Sequence, residues 1–207
     1  MNNSGKKYKN IIFDVGEVLL SYRWKDAMVD AGISREDAEE IGSVIFSSPL
    51  WKELDLGIRP YWDVAEDIAT KYGKWHDEMI SYLTHVERMP MDRPKVWEKM
   101  ALLKDAGYKC YILSNYPGYI FERHMKDKPF LQYLDGMMVS YTVNICKPDR
   151  RIYEALLQKY NLNPEDCIFF DDRKENTDGA IACGIDAVTI ESEDFLLEQM
   201  DKLLEDI

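Results

Sequence analysis

Sulfur and imidazole ligands are scarce in this chain of 207 residues, which has four cysteines and three histidines. Cys110, Cys146, Cys167 and Cys183 form no C-x-x-C pair and have no histidine at metal-ligand spacing, so a zinc site is not indicated. They read as reduced core or loop thiols. His76, His85 and His124 are isolated and read as surface or hydrogen-bonded side chains. Long apolar runs are missing too. Stretches such as Cys167-Ile168-Phe169-Phe170 are far too short to cross a bilayer, and the N-terminus is polar with no apolar signal core. The expectation is a cytoplasmic protein with no membrane partner. Basic charge is in deficit, with 26 Lys and Arg against 38 Asp and Glu and a net charge of −12, which excludes the basic footprint of non-specific nucleic-acid binding.

What is present is ordinary globular material. Apolar residues make up 46% and charged residues 31% of the chain, which sets aside disordered, collagen-like and low-complexity classes. The acidic excess is concentrated at the C-terminus, where Glu191 to Ile207 holds seven carboxylates and one lysine. Leu196, Met200, Leu203 and Leu204 recur there at helical spacing, so the charge belongs to a solvated helix face. It says little about the active site.

Five short apolar runs bounded by turn residues predict buried strands at Asn10 to Phe13, Lys109 to Leu113, Gly136 to Val139, Cys167 to Phe170 and Asp186 to Ile190. Helical periods fall between them. Trp97, Met100, Ala101 and Lys104 precede the second run, and Ile152, Ala155, Leu156 and Lys159 precede the fourth, with Asp149 placed to cap and Asn161 to end that helix. The alternation predicts an α/β fold, a Rossmann-like, doubly wound parallel sheet whose ligands sit beyond the carboxyl ends of the strands. One interval breaks the pattern. Roughly 95 residues separate the first two runs, with no convincing strand and several helical patterns, far more than one crossover needs. The expectation is an α-helical cap at residues 21–90, inserted into a core made of 1–20 and 91–207. Trp24, Trp51, Trp62 and Trp75 fall inside the insertion, as core filling or as a substrate-facing lid surface.

The chemistry gathers at strand ends. Asp14 closes the first run, where a carboxylate suits a nucleophile, a metal ligand or a simple turn cap. Asp171-Asp172 closes the fourth, followed by Asn176. Adjacent carboxylates repel unless a cation or donors offset them, and hard oxygen ligands so clustered suit Mg²⁺. Ser114-Asn115 closes the second and can either cap a helix or cradle phosphate with its hydroxyl and backbone N–H. Lys147, just before Pro148 and the next helix, can reach back over the strand ends to pair with phosphate and carboxylate. Four such elements in order, at the same end of successive strands, make a strong combined signal.

These residues resemble the four motifs of the haloacid dehalogenase superfamily, over nearly the whole chain. Phe13-Asp14-Val15-Gly16-Glu17-Val18-Leu19 is similar to motif one, Leu113-Ser114-Asn115 to motif two, Lys147-Pro148 to motif three, and Phe170-Asp171-Asp172 with Asn176 to motif four. The helical insertion resembles the cap of subfamily I. The resemblance implies a Mg²⁺-dependent phosphatase acting on a small-molecule phosphate ester, with Asp14 as nucleophile. Ser114, the Asn115 backbone N–H and Lys147 would hold phosphoryl oxygens. Asp14, the Gly16 carbonyl and Asp172 would hold the metal, with Asp171 and Asn176 as supports behind them. The D-x-G pattern looks most like the branch containing alpha-D-glucose-1-phosphate phosphatase and the phosphatase domain of soluble epoxide hydrolases, so a sugar phosphate is one expected substrate. One departure matters: phosphatases of the superfamily usually carry an acid–base Asp two residues after the nucleophile, and here that position is Gly16. Losing such a group typically costs ~10²–10⁴ in rate. Two alternatives stay open, a 2-haloacid dehalogenase-type hydrolase and a catalytically impaired module that binds phosphate ligands. Arg23, Trp51, Arg59 and Tyr61 are candidates for contacting the rest of the substrate.

Overall fold

The computed structural model describes residues 7–205. In chain order its main elements begin with β1 (Asn10–Phe13) and β2 (Leu20–Tyr22). Five helices follow: α1 (Trp24–Asp30), α2 (Arg35–Ile45), α3 (Pro49–Leu56), α4 (Tyr61–Lys71) and α5 (His76–Thr84). The chain returns through β3 (Pro90–Asp92), α6 (Pro94–Asp105), β4 (Lys109–Ser114), α7 (Gly118–Met125), β5 (Leu134–Val139) and α8 (Ser140–Val143). It closes with α9 (Arg150–Tyr160), β6 (Cys167–Asp171), α10 (Lys174–Ile181), β7 (Asp186–Thr189) and α11 (Glu193–Glu205).

Five strands form one parallel sheet in the order β5-β4-β1-β6-β7. The four residues of β1 are all buried, as expected of a central strand covered on both faces. Alternation divides its side chains between two cores. Ile11 and Phe13 pack with Trp97 and Met100 of α6 and Leu196 and Met200 of α11, whereas Ile12 packs with Ile152 of α9, Phe169 and Ala180 of α10. The connections run outward from β1 in both directions, so its carboxyl end is the point where strand order reverses, which is where sheets of this kind hold ligands. Register completes the placement. Phe13 pairs with Ile112 on one side and Phe170 on the other, so the residues just beyond meet at one lip.

The helical insert is bracketed by structure that the sequence reading lacked. β2 and β3 form a separate antiparallel pair, Leu20 opposite Asp92 and Tyr22 opposite Pro90, at the two points where the chain leaves and re-enters the sheet domain. The expectation of no strand in this interval is therefore corrected. Three-residue strands, one beginning with proline, are too short to show alternation. Helix α3 was also not expected. Ser48 caps it by accepting from the Trp51 N–H at 3.2 Å, Pro49 opens it, and Gly57, at φ 61°, ends it in the left-handed conformation. On α9, Asp149 accepts from the Arg151 N–H at 2.9 Å and Asn161 ends the helix at φ 51°. The acidic helix α11 buries Leu196, Met200 and Leu203 and half-buries Leu204, while Ile207 lies outside the described residues. Among the described residues no helix is long and apolar enough to cross a membrane, and all four cysteines are free thiols.

Candidate active site

At the lip of β4, β1 and β6, one lysine ties two carboxylates together. Lys147 Nζ lies 3.0 Å from Asp14 Oδ1 and 2.6 Å from Asp171 Oδ2, and it donates to the Leu113 carbonyl at 2.9 Å. Its side chain is 1% exposed. Burial works against the ammonium, but the charges of Asp14 and Asp171 outweigh it and raise the Lys147 pKa. Asn115 fixes the backbone carrying this lysine, since its Nδ2 donates to the Lys147 carbonyl at 2.9 Å and its Oδ1 accepts from the Lys147 N–H at 2.7 Å. Ser114 is buried at the end of β4.

Asp171 has no capacity left for a ligand. Asn176 Nδ2 contacts both its oxygens at 2.9 and 3.0 Å, the Arg173 N–H reaches Oδ1 at 2.8 Å, and Lys147 takes Oδ2. Asp171 and Asn176 thus hold Lys147 in place. Asp14 and Asp172 differ. Buried Asp14 Oδ1 sits at ion-pair distance from Lys147 but lacks an aligned hydrogen bond, and no protein cation or side-chain donor meets the Asp172 carboxylate among the described residues. Ligand oxygens of Asp14, Asp171 and Asp172 lie within 4.8 Å of one another. Burial, followed by the charges of Asp14 and Asp171, pushes Asp172 up to about 7. Burial raises Asp14 as well, with Lys147 opposing and Asp171 adding to it. Two under-satisfied carboxylates side by side fit a hard divalent cation.

Above this cluster lies a cavity of about 310 Å³, open to solvent and walled on one side by the insert. Trp24, Phe46 and Trp51 line it from the insert, and Tyr116 and Ile120 from the sheet domain. Of the four residues expected to meet the rest of a substrate, only Trp51 is on this wall. Arg23 pairs with Asp30, Arg59 with Glu53 and Asp67, and Tyr61 donates to the Leu83 carbonyl and stacks on Tyr119. The two arginines are thus paired with carboxylates within the insert, and Tyr61 bridges α4 to α5 and α7.

Two features of the wall were not read from the sequence. Gly16 lies against Tyr22: a Cβ there would come within 3.1 Å of Tyr22 Cε2, so the ring takes up the space of the side chain this position lacks. The Tyr22 hydroxyl continues into a chain, at 2.6 Å to Tyr116 and another 2.6 Å from Tyr116 to His124 Nδ1, ending with His124 Nε2 at 2.6 Å from the Val86 carbonyl. A carbonyl only accepts, so Nε2 carries the proton. Burial holds His124 down to about 4, so its ring is neutral, Nδ1 accepts from Tyr116, and Tyr116 in turn accepts from Tyr22. The second feature is Asp55 of α3, which reaches the cavity beside Asp14, Asp172 and Lys147. Burial pushes its carboxyl up to about 8, with Arg173 and Lys147 opposing and Asp14 adding. Glu17, adjacent to Gly16, is committed elsewhere: Oε2 meets Arg93 at 2.8 Å and Oε1 accepts from the Tyr22 N–H at 3.1 Å.

Known proteins are similar to this chain in sequence and in fold. A sesquiterpene phosphatase of Aspergillus oryzae is 25% identical over 178 residues, 86% of this chain and 87% of the relative. A phosphatase of Mycobacterium tuberculosis is 24% identical over 191 residues, 87% of this chain and 86% of its own. A haloacid dehalogenase family enzyme of Bacteroides thetaiotaomicron, crystallised with magnesium and inorganic phosphate, superposes with a TM-score of 0.72 at 19% identity, covering 90% of this chain and 96% of that one. The family model for haloacid dehalogenase-like hydrolases matches residues 8–184. With the sheet order and the strand-end cluster, that match places the chain in the haloacid dehalogenase-like hydrolase family.

Proposed function

We propose that the protein is a Mg²⁺-dependent phosphomonoesterase acting on a small phosphate ester, with residues 21–90 as a cap over the site. The observation carrying this reading is the division of labour among the acids: Asp171 is saturated around Lys147, while Asp14 and Asp172 are left facing the cavity. The two relatives named as phosphatases support the reaction class.

Asp14 is the nucleophile. Its carboxylate oxygen attacks phosphorus, the bond to the leaving oxygen breaks, and water then attacks phosphorus to free phosphate and restore Asp14. Lys147, Ser114 and the Asn115 backbone N–H hold the phosphoryl oxygens, so catalysis is positioning and charge stabilisation in a buried site. Asp14, the Gly16 carbonyl and Asp172 are the groups that would hold Mg²⁺, which when bound relieves repulsion between the carboxylate and phosphate anions. The cavity volume is at the low end of the ~300–1,000 Å³ of ligand pockets. Its aromatic walls suit an alcohol portion with an apolar face, which a pyranose ring presents as well as an aryl or prenyl group does.

The test is phosphate release from sugar phosphates, acyl phosphates, prenyl phosphates and p-nitrophenyl phosphate, each with Mg²⁺ and with EDTA. Metal-dependent turnover of at least one is expected. Chloride release from 2-chloropropionate without metal would replace the proposal with the dehalogenase reaction, and tight binding of phosphate esters with no product would replace it with a binding role.

A further inference from the structure

The phosphatase reading leaves one chemical role without an owner. An alkoxide leaving from phosphorus needs a proton, and the water that follows must lose one, yet position 16 is a glycine with Tyr22 packed against it. The ionisable groups on the cavity wall can be taken in turn. Asp171 has both oxygens filled, and Lys147 is bound between two carboxylates. Glu17 is paired with Arg93 and a backbone N–H, and Arg173 is paired with Glu175. Tyr22 has its hydrogen committed to Tyr116, which commits its own to neutral His124, so this chain presents only lone pairs to the cavity. Asp14 and Asp172 are engaged as nucleophile and cation holder. Asp55 remains. Its backbone is anchored, because Ser140 Oγ donates to the Asp55 carbonyl at 2.5 Å, while its carboxyl has no hydrogen-bond or ion-pair partner among the described residues and Asp55 lines the cavity.

We propose that Asp55, presented by helix α3 of the insert, is the general acid and base of the reaction, doing from the cap what a side chain at position 16 does elsewhere in the family. This rests on the phosphatase reading. In the first step Asp14 forms its bond to phosphorus, the electron pair of the breaking P–O bond goes to the leaving oxygen, and the Asp55 proton moves to that oxygen to give the free alcohol. In the second, water bonds to phosphorus, its proton returns to Asp55, and the pair of the P–O bond to Asp14 returns to Asp14. The groups facing Asp55 are Arg173, Lys147, Asp14, Tyr116 and Cys146.

Phenyl phosphate and p-nitrophenyl phosphate separate this role from others, because p-nitrophenolate leaves without protonation and phenolate does not. With Mg²⁺ at neutral pH, Asp55→Asn is expected to lose ~10²–10⁴-fold in turnover of phenyl phosphate. On p-nitrophenyl phosphate it should release one equivalent of p-nitrophenol in a fast burst and then slow, since phosphorylation proceeds while hydrolysis lacks its base. Asp55→Glu, which keeps a carboxyl, should recover part of both rates. A change confined to KM, or an equal loss on both esters without a burst, overturns the proposal and makes Asp55 a substrate-binding or packing residue. Asp55→Ser answers the same question if the amide disturbs folding, since the backbone contact to Ser140 is retained. If the wild-type protein turns over neither aryl ester, the same comparison is made between a sugar phosphate and an acyl phosphate, whose leaving group needs no proton; absence of turnover on all of these overturns the phosphatase reading itself, and the role of Asp55 with it.

Discussion

Replacing Lys147 with methionine removes a buried cation and leaves its two partners behind. The side chain is 1% exposed and sits 3.0 Å from Asp14 and 2.6 Å from Asp171, whose own side chains are 11% and 0% exposed. Breaking a buried pair in this way costs about 3–5 kcal/mol, because the remaining charges are uncompensated. For a protein of this length each kcal/mol moves the melting temperature by about 2–4 °C, so a fall of roughly 6–20 °C is expected. The pH dependence has a definite sign. Burial already raises the Asp14 carboxyl and the Lys147 charge opposes this, so without the ammonium Asp14 rises further above its unfolded value near 3.9; the penalty is full only above the folded value and is relieved as pH falls toward the unfolded one. Urea unfolding of wild type and Lys147→Met in EDTA, which keeps any divalent cation from substituting for the lysine, should show the gap widest at pH 7 and narrowing toward pH 4. The double variant Lys147→Met with Asp171→Asn should recover part of the stability and none of the activity. A single variant within 1 kcal/mol of wild type at pH 7, or a gap that does not change with pH, refutes the reasoning.

Three further outcomes follow from other contacts. His124 is buried and neutral with its pKa held down to about 4, so the unfolded chain binds a proton that the folded one refuses: its contribution to stability is intact above pH 6.5 and about 3 kcal/mol is lost as pH falls to 4, a loss that urea unfolding of His124→Gln should not show. Gly16→Asp, which restores the family's usual residue, should slow the enzyme and destabilise it by about 1–3 kcal/mol, because the new Cβ lies 3.1 Å from the Tyr22 ring; faster turnover in steady-state assays would contradict this. Trp51→Ala should raise KM for esters with an apolar alcohol portion by roughly tenfold or more while leaving KM for acetyl phosphate within about twofold, as the indole forms the wall beyond the phosphate, not the phosphate site.

The sheet and its lip were legible because parallel strands buried on both faces write themselves as apolar runs, and because chemistry at the carboxyl ends follows each run directly: Phe13 then Asp14, Leu113 then Ser114, Phe170 then Asp171. Lys147 was readable only as one member of that series. The acidic tail read correctly as a packed stripe with a solvated face. The insert was another matter. Helix α3 carries a start and stop signal in Ser48-Pro49 and Gly57, but its eight residues show only two turns of periodicity. Asp55 sits on that helix, and nothing in its spacing from Asp14 says that the insert folds back over the strand ends. In the Tyr22, Tyr116 and His124 chain the first link spans 94 positions and the second 8, so each member looks like an isolated side chain until the fold brings them together. Arg23 and Arg59 attracted notice by their charge, and that same charge drew them to Asp30, Glu53 and Asp67 on the surface of the insert.

The central claim is that Asp14 carries the phosphoryl group, and acid quenching during turnover followed by peptide mass analysis tests it most directly. The account predicts one phosphoryl group on the peptide containing Asp14, absent together with turnover in Asp14→Asn, while that variant melts as a folded protein. A phosphoryl group on another peptide, or undiminished turnover by Asp14→Asn, would contradict it.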